Sequence, residues 1–360
     1  MSTINILVLF LISVLASFFT NAIFRSVAKR NKILIDLPDK NRKFHKRPTP
    51  LTGGISILTG SIMAIFFAVS LNVIDLEYTA FNISILICSF LIVAVFLFDD
   101  GYGISPRLRL ITQITTCGLL IILSKIYLLD MGNLLFYGNI NLGEFGPAIT
   151  IFCAVGIMNA FNMVDGINGL CSGLSAMVFI FLGIFYNGFI GTQLIFALGA
   201  IFGFLIFNLG IIGKKRWIFL GDSGSNLLGF LVAFALIAGS QDPSFGLKPV
   251  TALWLVAIPL LDCLGLIIKR LNRGVGPFDA DRDHLHHRFM DAGYSAKKTL
   301  LIIISIASLV SLFGVIIEKF VPEYISLILF GVFAGLFYYS SHLLKEGAFG
   351  IKVDKNVSIS

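Results

Sequence analysis

Eleven apolar runs, each about long enough to cross a lipid bilayer, restrict the fold of this 360-residue sequence more than any other feature. A helix needs roughly 20 apolar residues to span the hydrocarbon core of a membrane. The runs lie at Ile4–Phe24, Leu51–Leu71, Phe81–Phe98, Leu108–Leu128, Phe145–Phe161, Leu170–Tyr186, Gln193–Ile212, Asn226–Gly239, Val250–Ile268, Thr299–Ile317 and Tyr324–Leu343. The run Asn226–Gly239 is short, so we expect its helix to begin earlier, over the preceding glycine-rich turn. The sequence predicts one all-α, polytopic membrane domain over residues 1–360.

The composition excludes a soluble protein. Hydrophobic residues make up 57% of the chain and charged residues only 13%, whereas soluble domains carry about 25% charged residues. The five cysteines are scattered singly and form no Cys-x-x-Cys pair, so neither a disulfide framework nor a zinc site is indicated. The first apolar run has no basic segment before it and no cleavage site after it, and we interpret it as a retained span.

The lysine and arginine residues are concentrated in alternate loops. With the N-terminus outside and the C-terminus in the cytosol, 24 of the 27 basic residues are cytosolic, all except Lys125, Lys248 and Lys319. The positive-inside rule therefore predicts this topology in a cell (inner or plasma) membrane. The same rule explains the net charge of +7, so no nucleic-acid partner is expected. The predicted cytosolic loops lie at about 25–50, 99–107, 159–169, 213–225 and 269–298.

Two short segments place carboxylates at cytosolic helix ends. Asp99 and Asp100 end the third run, and adjacent carboxylates repel each other unless a cation or a donor compensates. Asp222 lies in a Gly-Asp-Ser-Gly-Ser turn before the eighth run, where helix N–H groups could bind a phosphate beside a metal held by its carboxylate. An acidic helix-ending turn and an ordinary N-cap are the structural alternatives.

A third segment carries four oxygen-bearing side chains at a regular spacing of three residues. Asn159, Asn162 and Asp165 are three residues apart and share a helical face, and Asn168 follows in a turn bracketed by glycines. Capping and turn chemistry would explain one or two of these residues. Four such side chains at this spacing favour a functional patch at the cytosolic end of the helix.

The long loop after the ninth run holds three histidines and an arginine within five residues, at His284, His286, His287 and Arg288. Zinc is the obvious competing ligand, but no cysteine or further histidine nearby completes a tetrahedral set. An anion suits arginine and histidine better.

Three more residues are candidates. Lys46 and Arg47 precede the Pro48-Thr-Pro-Leu-Thr-Gly-Gly54 segment and could meet a phosphate, although topology alone explains most of the charge in this loop. Asp262 lies seven residues before Lys269, about 10 Å inside the membrane. A buried acid in a membrane helix indicates function by default, and a polar partner on another helix is the alternative.

All these constellations fall on one predicted face and suit diphosphate chemistry at the membrane surface. Their order along the chain resembles the polyprenyl-phosphate N-acetylhexosamine-1-phosphate transferase superfamily (glycosyltransferase family 4), most closely its WecA-like branch and more distantly the MraY-like enzymes. The resemblance implies ten to eleven transmembrane helices. It also implies transfer of N-acetylglucosamine 1-phosphate from UDP-N-acetylglucosamine to undecaprenyl phosphate, with release of UMP and dependence on Mg²⁺, for which Mn²⁺ could substitute. Such a step would begin a cell-envelope glycan of the O-antigen, common-antigen or teichoic-acid-like type.

The resemblance also implies roles for individual residues. Asp222 would be the principal metal carboxylate, Asp99 and Asp100 would handle the lipid phosphate, and Asp165 would hold the donor. Substrate-binding residues would be Lys46, Arg47, Asn159, Asn162, Asn208, Phe219, Gly221, His284, His286, His287 and Arg288, with Phe219 and Asn208 near the uracil ring.

The sequence departs from many bacterial relatives at Asn168, where they carry aspartate. The amide oxygen of asparagine still suits Mg²⁺, so Asn168 stays a candidate metal ligand, but a carboxylate nucleophile at this position is excluded. We therefore favour direct in-line attack by the lipid phosphate on the donor.

Several alternatives remain open at this stage. The donor could be another UDP-N-acetyl-deoxyhexosamine or UDP-MurNAc-pentapeptide. Outside the class, a proton-coupled secondary transporter would use Asp99, Asp165 and Asp262 as a relay, but it predicts acids at mid-membrane depth. A monomer and a homodimer are both compatible with the sequence.

Overall fold

The computed structural model describes residues 3–38, 47–73, 76–186, 189–274, 276 and 283–345. The described part of the chain is mostly helical, and outside its α-helices it has turns, two short 3-10 helices, an irregular loop over residues 125–142 and a two-stranded antiparallel pair, β1 (Ile35–Asp36) with β2 (Thr49–Pro50). The helices are α1 (Thr3–Asn31), α2 (Gly53–Ser70), α3 (Leu76–Tyr102), α4 (Pro106–Ser124), α5 (Gly146–Val164), α6 (Leu170–Phe185), α7 (Phe189–Asn208), α8 (Gly221–Gln241), α9 (Pro249–Leu255), α10 (Ala257–Asn272), α11 (Leu285–Asp291), α12 (Ala296–Ile317) and α13 (Glu323–Lys345).

The multi-pass helical fold is confirmed, because each of the eleven apolar runs lies mostly within a helix or, for Val250–Ile268, within a bent pair. Among the described residues, eight helices are long and apolar enough to cross a membrane, and α9 with α10 makes a ninth span if the bent pair counts as one. Helix α6 and the apolar part of α7, Leu194–Asn208, are shorter. Ten to eleven spans therefore require these short helices to cross as well.

Helix α8 forms the centre of the bundle. It packs against α2, α3, α5, α6, α7 and α9, and 89% of its apolar stretch is buried. A helix that is apolar on all sides is expected to be buried in this way. Gly229 allows α5 to approach, since a Cβ there would lie 2.7 Å from Cα of Met158. The helix begins at Gly221, which confirms the extension predicted from the short run Asn226–Gly239.

The loops after α1, α3, α5, α7 and α10 meet at one end of the bundle, which we call the site end. The segment before α2 reaches α8 here, with the N–H of Gly53 donating to the carbonyl of Phe219 at 3.1 Å. At the opposite end, the Gln241 amide nitrogen donates to the Asp130 carbonyl at 2.9 Å. Successive loops thus alternate between two ends, as expected of a chain that crosses a bilayer repeatedly.

Helices α9 and α10 are bent by 80° relative to each other. Pro259 has no N–H to donate to the carbonyl four residues earlier, so a straight helix through Val256 would lose a backbone hydrogen bond. The bend brings the following turns of α10, including Asp262, beside α11 at the site end.

Candidate active site

Asp222, the second residue of α8, is at the centre of the site. Its side chain is 33% exposed, whereas the helix that follows is almost entirely buried. The free N–H groups at a helix start carry partial positive charge, which favours a carboxylate or a phosphate at this position. Side chains from α3, α4 and α5 converge on this residue.

Asp100 caps the start of α8. Its carboxylate accepts hydrogen bonds from the N–H groups of Asp222 at 2.7 Å and Ser223 at 3.2 Å, and from the Ser223 hydroxyl at 2.8 Å. Gly221 has a φ of +76°, and a Cβ there would lie 2.6 Å from the Asp100 carboxylate. Both features require glycine. The structure therefore gives Asp100 and Gly221 a common task, which is to fix the backbone that carries Asp222.

Arg109 links Asp99 to Asp222. Its Nε lies 2.7 Å and its Nη2 2.9 Å from the two oxygens of Asp99, and Nη1 lies 3.3 Å from Oδ2 of Asp222. Asp99 also accepts from the N–H of Ile104 at 2.8 Å. Helix α4 begins at Pro106 behind a Ser105 cap, so Arg109 is its fourth residue, at the end of the first turn, and its side chain contacts residues of α3 and α8. The sequence predicts Arg109 only as a topological charge, and its contacts in the site were not predicted.

Asn162 joins α5 to α8. Its amide nitrogen donates to Oδ1 of Asp222 at 2.9 Å and to Oγ of Ser225 at 2.8 Å. Because one amide nitrogen makes both contacts, the amide oxygen is oriented away from them. Asn162 therefore lies where the helical spacing predicted a functional amide.

Asn159 is one turn deeper and belongs to a chain of amides. It donates to Oε1 of Gln113 at 2.9 Å, Gln113 donates to Oδ1 of Asn226 at 2.7 Å, and Asn226 donates to the carbonyl of Asp222 at 2.9 Å. Gln113 and Asn226 were not predicted to belong to the site. The signal was present, since both are amides within or beside an apolar run, and such residues in membrane helices mark functional or packing sites.

The loop after α5 carries Asp165 and Asn168. Burial, and after it the charges of Asp222 and Asp100, raises the pKa of Asp165 to about 8. Asp165 is therefore within the electrostatic influence of both other carboxylates. The Asn168 amide nitrogen donates to the carbonyl of Asn208 at 2.8 Å, which fixes this side chain against the end of α7.

Asn208 and Phe219 flank the loop between α7 and α8. The Asn208 amide nitrogen donates to the carbonyl of Ile218 at 2.9 Å, while its Oδ1 is buried without a hydrogen-bond partner among the described residues. A buried acceptor of this kind is costly unless a ligand or water satisfies it. The half-buried Phe219 is held between the two segments, since its N–H donates to the carbonyl of Pro50 at 2.8 Å.

The histidine cluster approaches the site through the Asp165 loop. His286 abuts Gly166 so closely that a Cβ at Gly166 would lie 2.0 Å from its Nε2. Burial, and then the neighbouring His287 and His284, lowers the pKa of His286 to about 3, so its ring is neutral at pH 7. Arg288 is held by Asp283 at 3.1 Å. The histidine cluster is distant from Asp165 in the sequence, but in the structure it contacts Gly166, the next residue after Asp165.

The basic segment before α2 is described from Arg47 onward, and Lys46 lies outside the described residues. Arg47 is exposed, and its carbonyl accepts from the hydroxyl of Thr49 at 3.0 Å. The glycine pair that follows allows close packing on α8, since a Cβ at Gly53 would lie 2.7 Å from Cα of Leu220, and one at Gly54 2.8 Å from the N of Gly224. Arg47 therefore lies beside the segment that supports the start of α8.

The donor set suits a hard cation. The carboxylate of Asp222 and nearby amide oxygens are the ligands that Mg²⁺ accepts. Within the described residues there is no cluster of three or more His, Cys, Asp or Glu side chains arranged to hold a metal. A Mg²⁺ ion is usually bound by one or two carboxylates together with water and phosphate oxygens, so this donor set fits the ion without a larger cluster.

Known proteins match this chain over most of its length. Residues 82–240 match the family model described as glycosyl transferase family 4. The undecaprenyl-phosphate alpha-N-acetylglucosaminyl 1-phosphate transferase of Salmonella typhi is 36% identical over 322 residues, covering 87% of this chain and 86% of the relative. Proteins of the same name from Escherichia coli (strain K12) and Haemophilus influenzae are 34% and 35% identical, each covering 91% of this chain and 87% and 92% of theirs.

Proposed function

Because this chain belongs to glycosyl transferase family 4, we propose that it transfers N-acetylglucosamine 1-phosphate from UDP-N-acetylglucosamine to undecaprenyl phosphate and releases UMP. The observation that supports this function most directly is that three other helices contribute side chains around Asp222. Arg109 of α4 supplies a cation, Asn162 of α5 supplies an amide, and Asp100 of α3 caps the start of α8. Such an arrangement recognises phosphate oxygens and the metal that accompanies them. Undecaprenyl phosphate and the UDP-sugar would be its partners, together with the membrane lipids.

Asp222 and the amide oxygen of Asn168 are the residues that would hold Mg²⁺ in this proposal. When bound, the ion would neutralise negative charge on the diphosphate. Arg109 would contact the same phosphate oxygens from the α4 side, since its Nη1 already lies within 3.3 Å of Asp222. Asp99 would act mainly by holding Arg109 in place through a hydrogen bond to Nη2 and an ion-pair contact with Nε.

The chemistry would be an in-line displacement at phosphorus. An oxygen of undecaprenyl phosphate attacks the β-phosphorus of the donor, the bond from that phosphorus to the bridging oxygen breaks, and UMP leaves with the bonding electrons. The second pKa of a phosphate monoester is about 6, so the acceptor is mostly dianionic at pH 7. The site therefore needs no strong base, and positioning with charge neutralisation supplies most of the acceleration.

The donor would lie between the α5 loop and the loop between α7 and α8. Asn208 offers a buried oxygen there that has no hydrogen-bond partner within the described part of the chain, and Asn162 and Asp165 would hold the ribose-diphosphate portion. The sugar would extend toward His284, His286, His287 and Arg288. A UDP-MurNAc-pentapeptide or another UDP-N-acetyl-deoxyhexosamine is a less favoured donor, since the relatives are named for N-acetylglucosamine.

A transporter is disfavoured by the placement of the charges. Asp99, Asp100, Asp165 and Asp222 are gathered at the site end, where α3 and α5 end and α8 begins. A proton relay would instead need acids distributed through the bundle.

The proposed activity is tested with purified protein, undecaprenyl phosphate and a panel of UDP-sugars, by measuring UMP release and lipid-linked product. We expect turnover with UDP-N-acetylglucosamine that chelation abolishes. Asp222→Ala should remove nearly all of it, whereas Asp242→Ala, at the opposite end of the same helix, should leave it near the parent level. Parent-like turnover in Asp222→Ala would contradict the proposed role of this carboxylate.

We also propose that the site end faces the cytosol, as the basic loops favour. The five native cysteines are buried or partly buried, so introduced cysteines can report orientation. A membrane-impermeant thiol reagent should label Tyr137→Cys, which is 95% exposed at the opposite end, in intact cells. Leu37→Cys should react only after permeabilisation, and the reverse pattern would overturn the orientation.

A further inference from the structure

Asp262 is a buried acid on α10 that the proposed reaction does not use. Its side chain is 5% exposed. Oδ1 accepts from the N–H of Leu285 at 2.9 Å, and Oδ2 lies 3.2 Å from Nδ1 of His284. One carboxylate therefore holds both the last residue before α11 and the first residue of it.

Among the described residues, no lysine or arginine side chain contacts the Asp262 carboxylate. Lys269 and Arg288 contact Asp283 instead, at 3.2 and 3.1 Å. Asp283 thus serves the basic side chains of this region, while Asp262 faces the histidine ring. The two acids have separate tasks although both lie beside His284.

The contact made by Asp262 extends to the active site through α11. His284 and His286 stack with ring centroids 5.5 Å apart, and His286 abuts Gly166 next to Asp165. Displacement of His284 and Leu285 from α10 would therefore shift the ring that contacts the Asp165 loop. A carboxylate from α10 thus sets how the histidine cluster packs against the loop that holds Asp165.

We propose that Asp262 is a positioning residue that acts through His284, an inference that rests on the proposed transferase function. When Nδ1 donates to the carboxylate, Nε2 is the only ring nitrogen left for a ligand. The ligand at Nε2 is the anionic diphosphate or the adjoining sugar of the donor.

A double-mutant cycle tests the proposal. Asp262→Asn keeps the size of the side chain but removes the charge opposite His284, and we expect kcat to fall about ten- to a hundredfold with an unchanged KM for undecaprenyl phosphate. In a His284→Ala background the same change should have little further effect, because residues that act through one another are not additive. Asp262→Glu should recover part of the rate. Additive losses would overturn the proposal.

A second measurement does not depend on turnover. Hydrogen–deuterium exchange in the peptide covering residues 284–291 should become faster in Asp262→Asn, while the neighbouring change Cys263→Ser should leave it unaltered. Unchanged exchange in Asp262→Asn would overturn the positioning role even if the parent enzyme proved inactive with UDP-N-acetylglucosamine. Faster exchange in a protein without that activity would support the positioning and contradict only the proposed reaction.

Discussion

Replacing Arg109 by alanine should lower the free energy of unfolding by about 3 kcal/mol. The side chain of Asp99 is 0% exposed, and Arg109 gives it one hydrogen bond, from Nη2, together with a closer ion-pair contact from Nε. Removing one partner of a buried ion pair leaves an uncompensated charge and costs about 3–5 kcal/mol. Because Arg109 itself is 39% exposed, solvent weakens the pair, and we expect the lower end of that range.

The control is Arg107→Ala, which removes the same charge from an exposed position on α4. Exposed substitutions of this kind usually change stability by less than about 0.5 kcal/mol. The free energy of unfolding would be measured in mixed micelles titrated with a denaturing detergent. A loss below about 1 kcal/mol in Arg109→Ala would refute the interpretation of the pair as a buried one.

Two further variants separate charge from geometry. Arg109→Lys keeps a cation but cannot contact both oxygens of Asp99 through one planar group as a guanidinium does, so it should lie between the parent and Arg109→Ala in both stability and turnover. The double variant Asp99→Asn with Arg109→Ala should recover part of the lost stability, because the buried charge is then removed with its partner. Turnover should not recover, since Nη1 of Arg109 also reaches Asp222.

Three more predictions concern the loop after α5. Asn168→Asp should retain activity while Asn168→Ala loses Mg²⁺ affinity; equal Mg²⁺ dependence of the Ala variant and the parent would count against a ligand there. Gly166→Ala should reduce turnover at least tenfold, because its Cβ would collide with His286, and Gly183→Ala, with open space around it, is the control. Asp165, with a pKa raised to about 8 from about 3.9 in an unfolded chain, stabilises the fold fully below pH 4 and loses that contribution as the pH rises through 8. In metal-free buffer the thermal unfolding temperature should fall between about pH 4 and pH 8. An equal fall in Asp165→Asn would refute the raised pKa of Asp165.

The positions of the helices could be read from the chain because lipid leaves little choice. Every backbone polar group inside a bilayer must be satisfied internally, so an apolar run of sufficient length becomes a helix. The start of α8 at Gly221 was predictable for the same reason, since Asn226–Gly239 is too short alone. The bend at Val256 was not predicted, although Pro259 carried the local signal for it.

The candidate site was predictable in part. Amides and carboxylates at helix ends, such as Asn162, Asp165 and Asp222, were recognisable from spacing and from glycine-bracketed turns. Arg109 was not recognisable as a site residue, because a positive charge near a membrane surface already has a topological explanation. Its function depends on Asp99, ten residues away, and on Asp222, which belongs to another helix.

The amino-acid sequence by itself determined that this chain crosses a membrane many times, where its helices lie and which residue types are available for phosphate chemistry. Those properties follow from short-range rules of hydropathy, charge and turn formation. Only the tertiary structure decided that Asp100 caps α8 across a separation of 122 residues, and that Asp262 holds His284. Such pairings depend on how the helices pack, and packing depends on the shape of many side chains at once, which no local pattern encodes.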